Sequence, residues 1–295
     1  MMQSSLIGRV ARSENLRGWA MVSPTALVAI LLLAAPLGMI VAFSFMTDGY
    51  LEILPEFTLE NYTKAWADPL FRQILFRSLY VSALVTAATV VLAFPIAYFV
   101  SFHVAPERKS LWLFLITIPF WTSYLIRVFL WKVILGYSGV INSGLMGLGL
   151  ISEPLTFFNY SVSAIIVTLA HAYAPFAILP IFVALERIDR SLLEASRDLG
   201  EGHLRTFWRV TLPLSIAGVV SAVLIVFIPT VGDYVTPQLI GGGKIPLVAN
   251  LIQNRMLDLD NKPAGSALAV SSMVIVAIIS VAFLWANRRY LRVGR

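Results

Sequence analysis

The chain contains no cysteine, so disulfides and thiolate metal sites are excluded, though this assigns no compartment. Charge is scarce: Asp, Glu, Lys and Arg make up 13% of the 295 residues, against about 25% in soluble domains. The histidines, His103, His171 and His203, are scattered over different segments, which argues for hydrogen-bonded or surface roles and against a metal cluster. A phosphate-binding loop is missing. Gly243-Lys244 looks like the end of one, but the place of its first glycine is taken by Gln238, and Ile245 follows where Ser or Thr belongs. No nucleophile–base arrangement is present either. An enzyme acting by itself is therefore not expected.

What fills the chain instead is apolar: 58% of residues. Such a surface would precipitate unless lipid covered most of it. The net charge of +6 does not point to nucleic acid, because the basic residues sit between apolar runs and not on one soluble face. The expected fold class is all-α, a polytopic membrane protein in a single domain over residues 1–295.

Apolar stretches of roughly 20 residues mark spans. Six are found, at about 21–45, 74–102, 111–135, 160–184, 210–232 and 266–287. The first is too long for a signal-peptide core and shows no clear cleavage site. Basic residues test the count. Arg9, Arg12, Arg17, Arg108, Lys109, Arg187, Arg190, Arg197, Arg205, Arg209, Arg288, Arg289, Arg292 and Arg295 fall on one side. Lys64, Arg72, Arg77, Lys244, Arg255 and Lys262 fall on the other, and Arg127 and Lys132 lie within the third run. The bias predicts both termini in the cytoplasm and an even number of spans. Trp19, Trp66, Trp112, Trp131, Trp208 and Trp285 lie near predicted span ends, as interfacial anchors do. Pro36, Pro95, Pro119, Pro175, Pro180 and Pro229 interrupt spans, either as kinked packing or as hinges of a gated path.

The polar segment 188–206 separates two apolar runs. Asp189 or Ser191 can cap a helix there, and Ser191 with Glu194 has the capping-box spacing. Leu192, Ala195, Ser196 and Leu199 share one face at helical spacing. Gly200 and Gly202 end the helix, a second short helix is expected through Leu204 and Phe207, and Pro213 suits the first turn of the next span. Physics alone leaves two readings: an amphipathic loop lying on lipid headgroups, or a surface helix whose apolar face awaits a partner.

The spacing here resembles that of the inner-membrane permease subunits of bacterial ATP-binding-cassette importers. Their signature runs Glu-Ala-Ala, three residues, Gly, nine residues, Ile, one residue, Leu-Pro. Here it reads Glu194-Ala195-Ser196, Gly200 and Val210-Thr211-Leu212-Pro213, with Ser196 and Val210 as the two departures. Further stretches, Phe57 to Tyr62, Pro119 to Arg127, Gly232 to Pro237, and Gly242-Gly243 followed by an outer helix near Val248–Met256, resemble the spermidine/putrescine branch. The resemblance implies a type I importer permease whose Glu194–Gly200 coupling helix docks on an ATPase. It implies a second homologous permease, two ATPase subunits that use ATP and Mg, and a periplasmic solute-binding protein. It implies no cofactor on this chain, placement in the bacterial inner membrane, and polyamines or a related small organic solute as cargo. A secondary transporter or channel would account for the spans but not for the docking motif.

Charges at membrane depth mark candidate path residues. Arg127 either makes an internal ion pair or carbonyl contact, or gates the path. Lys132 is expected to snorkel toward an interface. Asp233 either pairs with Arg127 or caps a break at Gly232, or attracts an amine cation, with Trp121, Tyr124 and Tyr234 adding cation–π contacts. Asp48, Glu52, Glu56, Glu60 and Asp68 give the first outer loop an acidic excess.

Overall fold

The computed structural model describes residues 14–49 and 52–292. Arg9, Arg12 and Arg295, counted among the basic residues above, lie outside them, as do the side chains of Arg17 and Arg292. Six helical stretches are long and apolar enough to cross a membrane. Four fall close to expectation: Glu14–Ser44, Pro69–Phe102, Val162–Glu186 and Lys262–Ala286. The fourth crossing, Val162–Glu186, has 25 residues. At 1.5 Å per residue that is about 38 Å, more than the roughly 30 Å of hydrocarbon.

The third run departs from the expected single helix over 111–135. The chain forms Pro106–Thr117, a 3-10 turn over Ile118–Trp121, and then Tyr124–Leu135. Pro119 sits in that turn and cannot donate to the carbonyl of Leu115. Thr122 and Ser123 are extended, with ψ of 149° and 137°. The broken segment nevertheless runs antiparallel to the fourth crossing. Lys109 meets Glu186 at 2.6 Å, the Phe120 ring lies 5.0 Å from that of Phe176, and Trp131 donates to His171 at 3.1 Å. The distance from Glu186 to His171 along the helix is about 22 Å. So the two pieces together make one crossing, with the break near its middle. Apolar sequence continues to Gly147, but the helix stops at Gly136, and the Gly139 N–H closes a turn onto the Gly136 carbonyl at 2.9 Å.

The fifth run differs at its start. It was expected over 210–232, with Pro213 in its first turn. Instead one continuous helix runs from His203 to Val231, and the expected short helix through Leu204 and Phe207 is its beginning. Residues Phe207–Thr211 form a π turn in which Leu212 N–H reaches back to the Phe207 carbonyl. In a regular α-helix the Pro213 ring would collide with the Arg209 carbonyl. The wider turn removes that clash, so the proline is accommodated without ending the helix.

The second, fourth and fifth crossings form the core. Val85, Ala93, Ala97, Leu169, Ala177, Ile181, Leu185, Ala222 and Val226 are buried between them. Small side chains let helices approach closely where lipid offers no hydrophobic drive. Gly218 is the limit of this: a Cβ there would lie 2.5 Å from both the Ala184 Cβ and the Pro180 carbonyl oxygen. The first crossing stands apart, with none of its most apolar window buried and the sixth crossing as its main neighbour. Its C-terminal carbonyls are nonetheless satisfied. The Asn61 amide donates to the carbonyls of Ser44 and Met46 at 3.1 and 2.8 Å, and the Tyr62 hydroxyl meets Ser44 at 2.7 Å. This is what the Phe57–Tyr62 stretch does locally.

Gly218→Leu is expected to force the fourth and fifth crossings apart and to lower the melting temperature of the detergent-solubilised protein. An unchanged melting curve would show that these helices separate freely.

Candidate functional site

Two constructions stand out, one at the motif end of the bundle and one where the third crossing breaks. At the motif end, helix Arg190–Asp198 begins on Asp189, whose Oδ1 accepts the Ser191 N–H at 3.0 Å. Of the two expected caps, Asp189 is thus the one used. The bond from the Ser191 backbone N–H, and then that from its side chain, hold the Asp189 carboxyl below its usual range. The helix closes in a Schellman turn: Glu201 N–H donates to the Ser196 carbonyl at 3.1 Å and Gly200 N–H to that of Arg197 at 2.8 Å. Gly200 has φ +84° with nothing within 4 Å of where a Cβ would sit. The left-handed conformation explains the glycine, and the open space leaves room for another surface to approach.

The motif residues divide between inside and outside. Glu194, Ala195, Gly200 and Pro213 are exposed, and Leu212 is half-buried. Leu192, Leu199, Leu204 and Trp208 are exposed too, Leu199 at 86%. The predicted apolar face is therefore real but carries only Leu192, Ala195 and Leu199, because Ser196 turns inward. It is buried, and its hydroxyl meets that of Thr206 at 3.0 Å. The Ser196 departure from the family pattern thereby gains a role: it ties the short helix to the start of the fifth crossing. Glu201 adds ion pairs to Arg205 and Arg209, and Phe207 packs edge-on against Phe94 of the second crossing at 5.5 Å.

Toward the opposite end, the break in the third crossing meets the end of the fifth. The Tyr124 hydroxyl donates to Asp233 Oδ2 at 2.8 Å and lies 2.7 Å from the Thr236 hydroxyl. Asp233 Oδ1 accepts the backbone N–H groups of Val235 and Thr236 at 3.1 and 3.4 Å, starting the short helix Val235–Leu239 after Gly232. Asp233 is 7% exposed. Arg127 is 8% exposed, and its guanidinium lies 5.6 Å from the Phe120 ring centre and 5.9 Å from that of Tyr124. It also donates to the Ala172 carbonyl at 3.4 Å. Among the described residues no ion pair joins Arg127 to Asp233, so the cap and the carbonyl contact are the arrangements present.

Tyr124, Arg127 and Asp233 thus come together. Trp121 and Tyr234 stay outside the cluster, exposed at 75% and 46%. Lys132 is half-buried and lines a separate cleft with Tyr137 and Tyr160. The acidic loop after the first crossing is partly structural: Asp48 accepts from Asn261 at 2.6 Å, Glu60 pairs with Lys64 at 2.9 Å, and Asp68 caps the second crossing through Leu70 N–H at 2.8 Å. Sequence reasoning missed Ser78 and Arg77. They hold the helix Val248–Gln253 and the Pro246 carbonyl to the second crossing. Polar residues inside an apolar run were the available signal.

Six crossings with an exposed motif-bearing hairpin at one end define a transport permease of the membrane-embedded type. Residues 20–292 match the family of binding-protein-dependent transport system inner membrane components, and the chain belongs to that family. It is 37% identical over 251 residues to the spermidine/putrescine transport system permease protein PotB of Haemophilus influenzae, covering 85% of this chain and 87% of that one. It is 34% identical over 260 residues to PotB of Escherichia coli, covering 88% and 94%. Among solved structures, a bacterial ABC transporter involved in the import of the acidic polysaccharide alginate matches with a TM-score of 0.74 over 97% of this chain and 99% of that one. At 17% identity that likeness concerns the fold.

Tyr124→Phe leaves a buried carboxylate short of a donor. The expected cost is about 1–3 kcal/mol, read as a lower melting temperature; an unaltered one would mean that the hydroxyl does not serve Asp233. For Asp189 the sign follows from its lowered value. Its capping contribution is present above the unfolded value of about 3.9 and is lost as pH falls through the folded value. Asp189→Ala is expected to speed amide exchange across 190–198 at neutral pH, and unchanged protection would assign the cap elsewhere.

Proposed function

We propose that this chain is one permease subunit of an ATP-driven importer for spermidine, putrescine or a closely related organic cation. The observation that carries the reading is the Glu194–Pro213 hairpin: a rigidly capped helix with its apolar residues bare, bearing the spacing of the coupling motif at every position. The cargo class rests on the two PotB relatives, which align over most of the chain. Both termini and the hairpin face the cytoplasm, by the distribution of basic residues. Six crossings form half of a path, completed by a second homologous permease. A periplasmic binding protein delivers the solute to the opposite end.

The chain itself is non-catalytic. Two ATPase subunits, which hold the ATP and Mg, grip the coupling helices. Glu194 and Ala195 lie on the gripped face, Gly200 lets the partner approach, and Ser196 ties the helix to the start of the fifth crossing, in which Leu212 and Pro213 lie. Closure of the ATPases then switches the path between outward and inward access. In the path, Trp121 and Tyr234 offer ring faces to a cation. Asp233 supplies negative charge behind them, Tyr124 holds that carboxylate, and Arg127 sets the limit of its field.

Uptake of labelled spermidine by cells carrying the full set of subunits tests this. Gly200→Trp is expected to abolish ATP-dependent uptake while the spans still insert, because the new side chain is both strained at φ +84° and wedged into the docking face. Unchanged uptake would favour a carrier working without ATP. Asp233→Asn retains the capping oxygen but removes the charge. It is expected to weaken cation uptake without preventing assembly, and wild-type uptake would remove Asp233 from the path.

A further inference from the structure

Where the third and fourth crossings meet at the hairpin end, one carboxylate gathers three segments, and a fourth is bonded to one of them beside it. Glu186, the last residue of the fourth crossing, accepts from Lys109 and from the Ser101 hydroxyl on the same oxygen, each at 2.6 Å. Ser101 belongs to the last turn of the second crossing and is 1% exposed. Lys109 lies in the first turn of Pro106–Thr117, the start of the third crossing, and its side chain is 11% exposed. The Ser101 carbonyl accepts in turn from the guanidinium of Arg190, the first residue of the short helix, at 3.3 Å.

Each charge of the Lys109–Glu186 pair sits at the unfavourable end of its own helix. A helix C-terminus is the negative end of the dipole and disfavours Glu186; an N-terminus disfavours Lys109. Neither placement helps its own element, so the pair is accounted for by what it joins. The Ser196–Thr206 contact already ties the short helix to the fifth crossing. Without Glu186, though, the described hydrogen bonds and ion pairs leave the end of the second crossing and the start of the third linked to the short helix only through the Arg190–Ser101 bond.

We propose that Glu186 is a transmission joint: it makes the inner ends of the second, third and fourth crossings move with the short helix Arg190–Asp198 as one body. The inference rests on the importer reading and deepens it. Glu186 acts as a positioning residue, touching neither the solute nor ATP. Its loss leaves the docking face intact but lets the helix shift without carrying the crossings along.

The test uses the complete complex in proteoliposomes, with spermidine uptake and ATP hydrolysis measured together. Glu186→Gln and Lys109→Met are each expected to keep ATP hydrolysis while lowering solute moved per ATP by about fivefold or more, the low end of coupling between sites. The exchanged pair, Glu186→Lys with Lys109→Glu, puts both charges at favourable helix ends and is expected to recover most of that ratio. Ser101→Ala, a smaller change, should give a partial loss and serves if Glu186→Gln fails to insert. An unchanged ratio in the single variants overturns the joint alone. So does parallel loss of hydrolysis and uptake, which would place Glu186 in assembly. If the wild-type complex shows no ATP-driven uptake, the importer reading falls and the joint falls with it.

Discussion

In a bilayer, each backbone amide and carbonyl must find its partner within the protein. That requirement decides where this chain bends. Pro213 would free the Arg209 carbonyl and strike it, and the π turn at Phe207–Thr211 absorbs the conflict while keeping the helix whole. Pro119 is handled otherwise: the third crossing breaks into two helices joined by a 3-10 turn, and the Phe120 ring of that turn packs edge-on against Phe176 of the fourth. At the end of the first crossing, Asn61 supplies donors that a helix terminus lacks.

Two charged side chains inside the bundle also find partners, although Arg127 Nε and the hydroxyls of Ser82, Thr168 and Ser266 have none among the described residues. Asp233 is tolerable because Tyr124 and two backbone N–H groups face it. Arg127 spreads its charge over two aromatic rings and a carbonyl. These groups make the break in the third crossing and the end of the fifth a single polar unit. The hairpin end is organised by charge in the same way, through Glu186 and Glu201. Two polar clusters, one at the hairpin end and one at the break in the third crossing, flank a core of small and branched apolar residues. Such a core is close-packed, and interiors of this kind are hard to compress and transmit strain.

Much of this was legible in the order of residues. Apolar run length located the crossings, and the motif spacing located the hairpin, down to the glycine that turns it. The breaks were not legible, for a definite reason. Pro119 and Pro213 are both flanked by apolar residues, yet one ends a helix and the other does not; the outcome depends on whether a neighbouring turn can widen, which is a property of packing. Ser196 reads as a small residue on an apolar face, and only the position of Thr206 sends it inward. Glu186 was overlooked because it ends an apolar run, where a charge marks a boundary. Its partners, Ser101 and Lys109, are distant in sequence, so no local pattern announces them.

The first crossing carries one more implication, concerning biogenesis. Its main helical neighbour is the sixth, which begins at Lys262. At ribosomal speeds the chain between them takes roughly ten to forty seconds to emerge. Through that interval the first helix must sit in the bilayer as a solitary anchor, and its uniformly apolar circumference suits it to do so. The nascent protein is therefore moored long before its bundle closes.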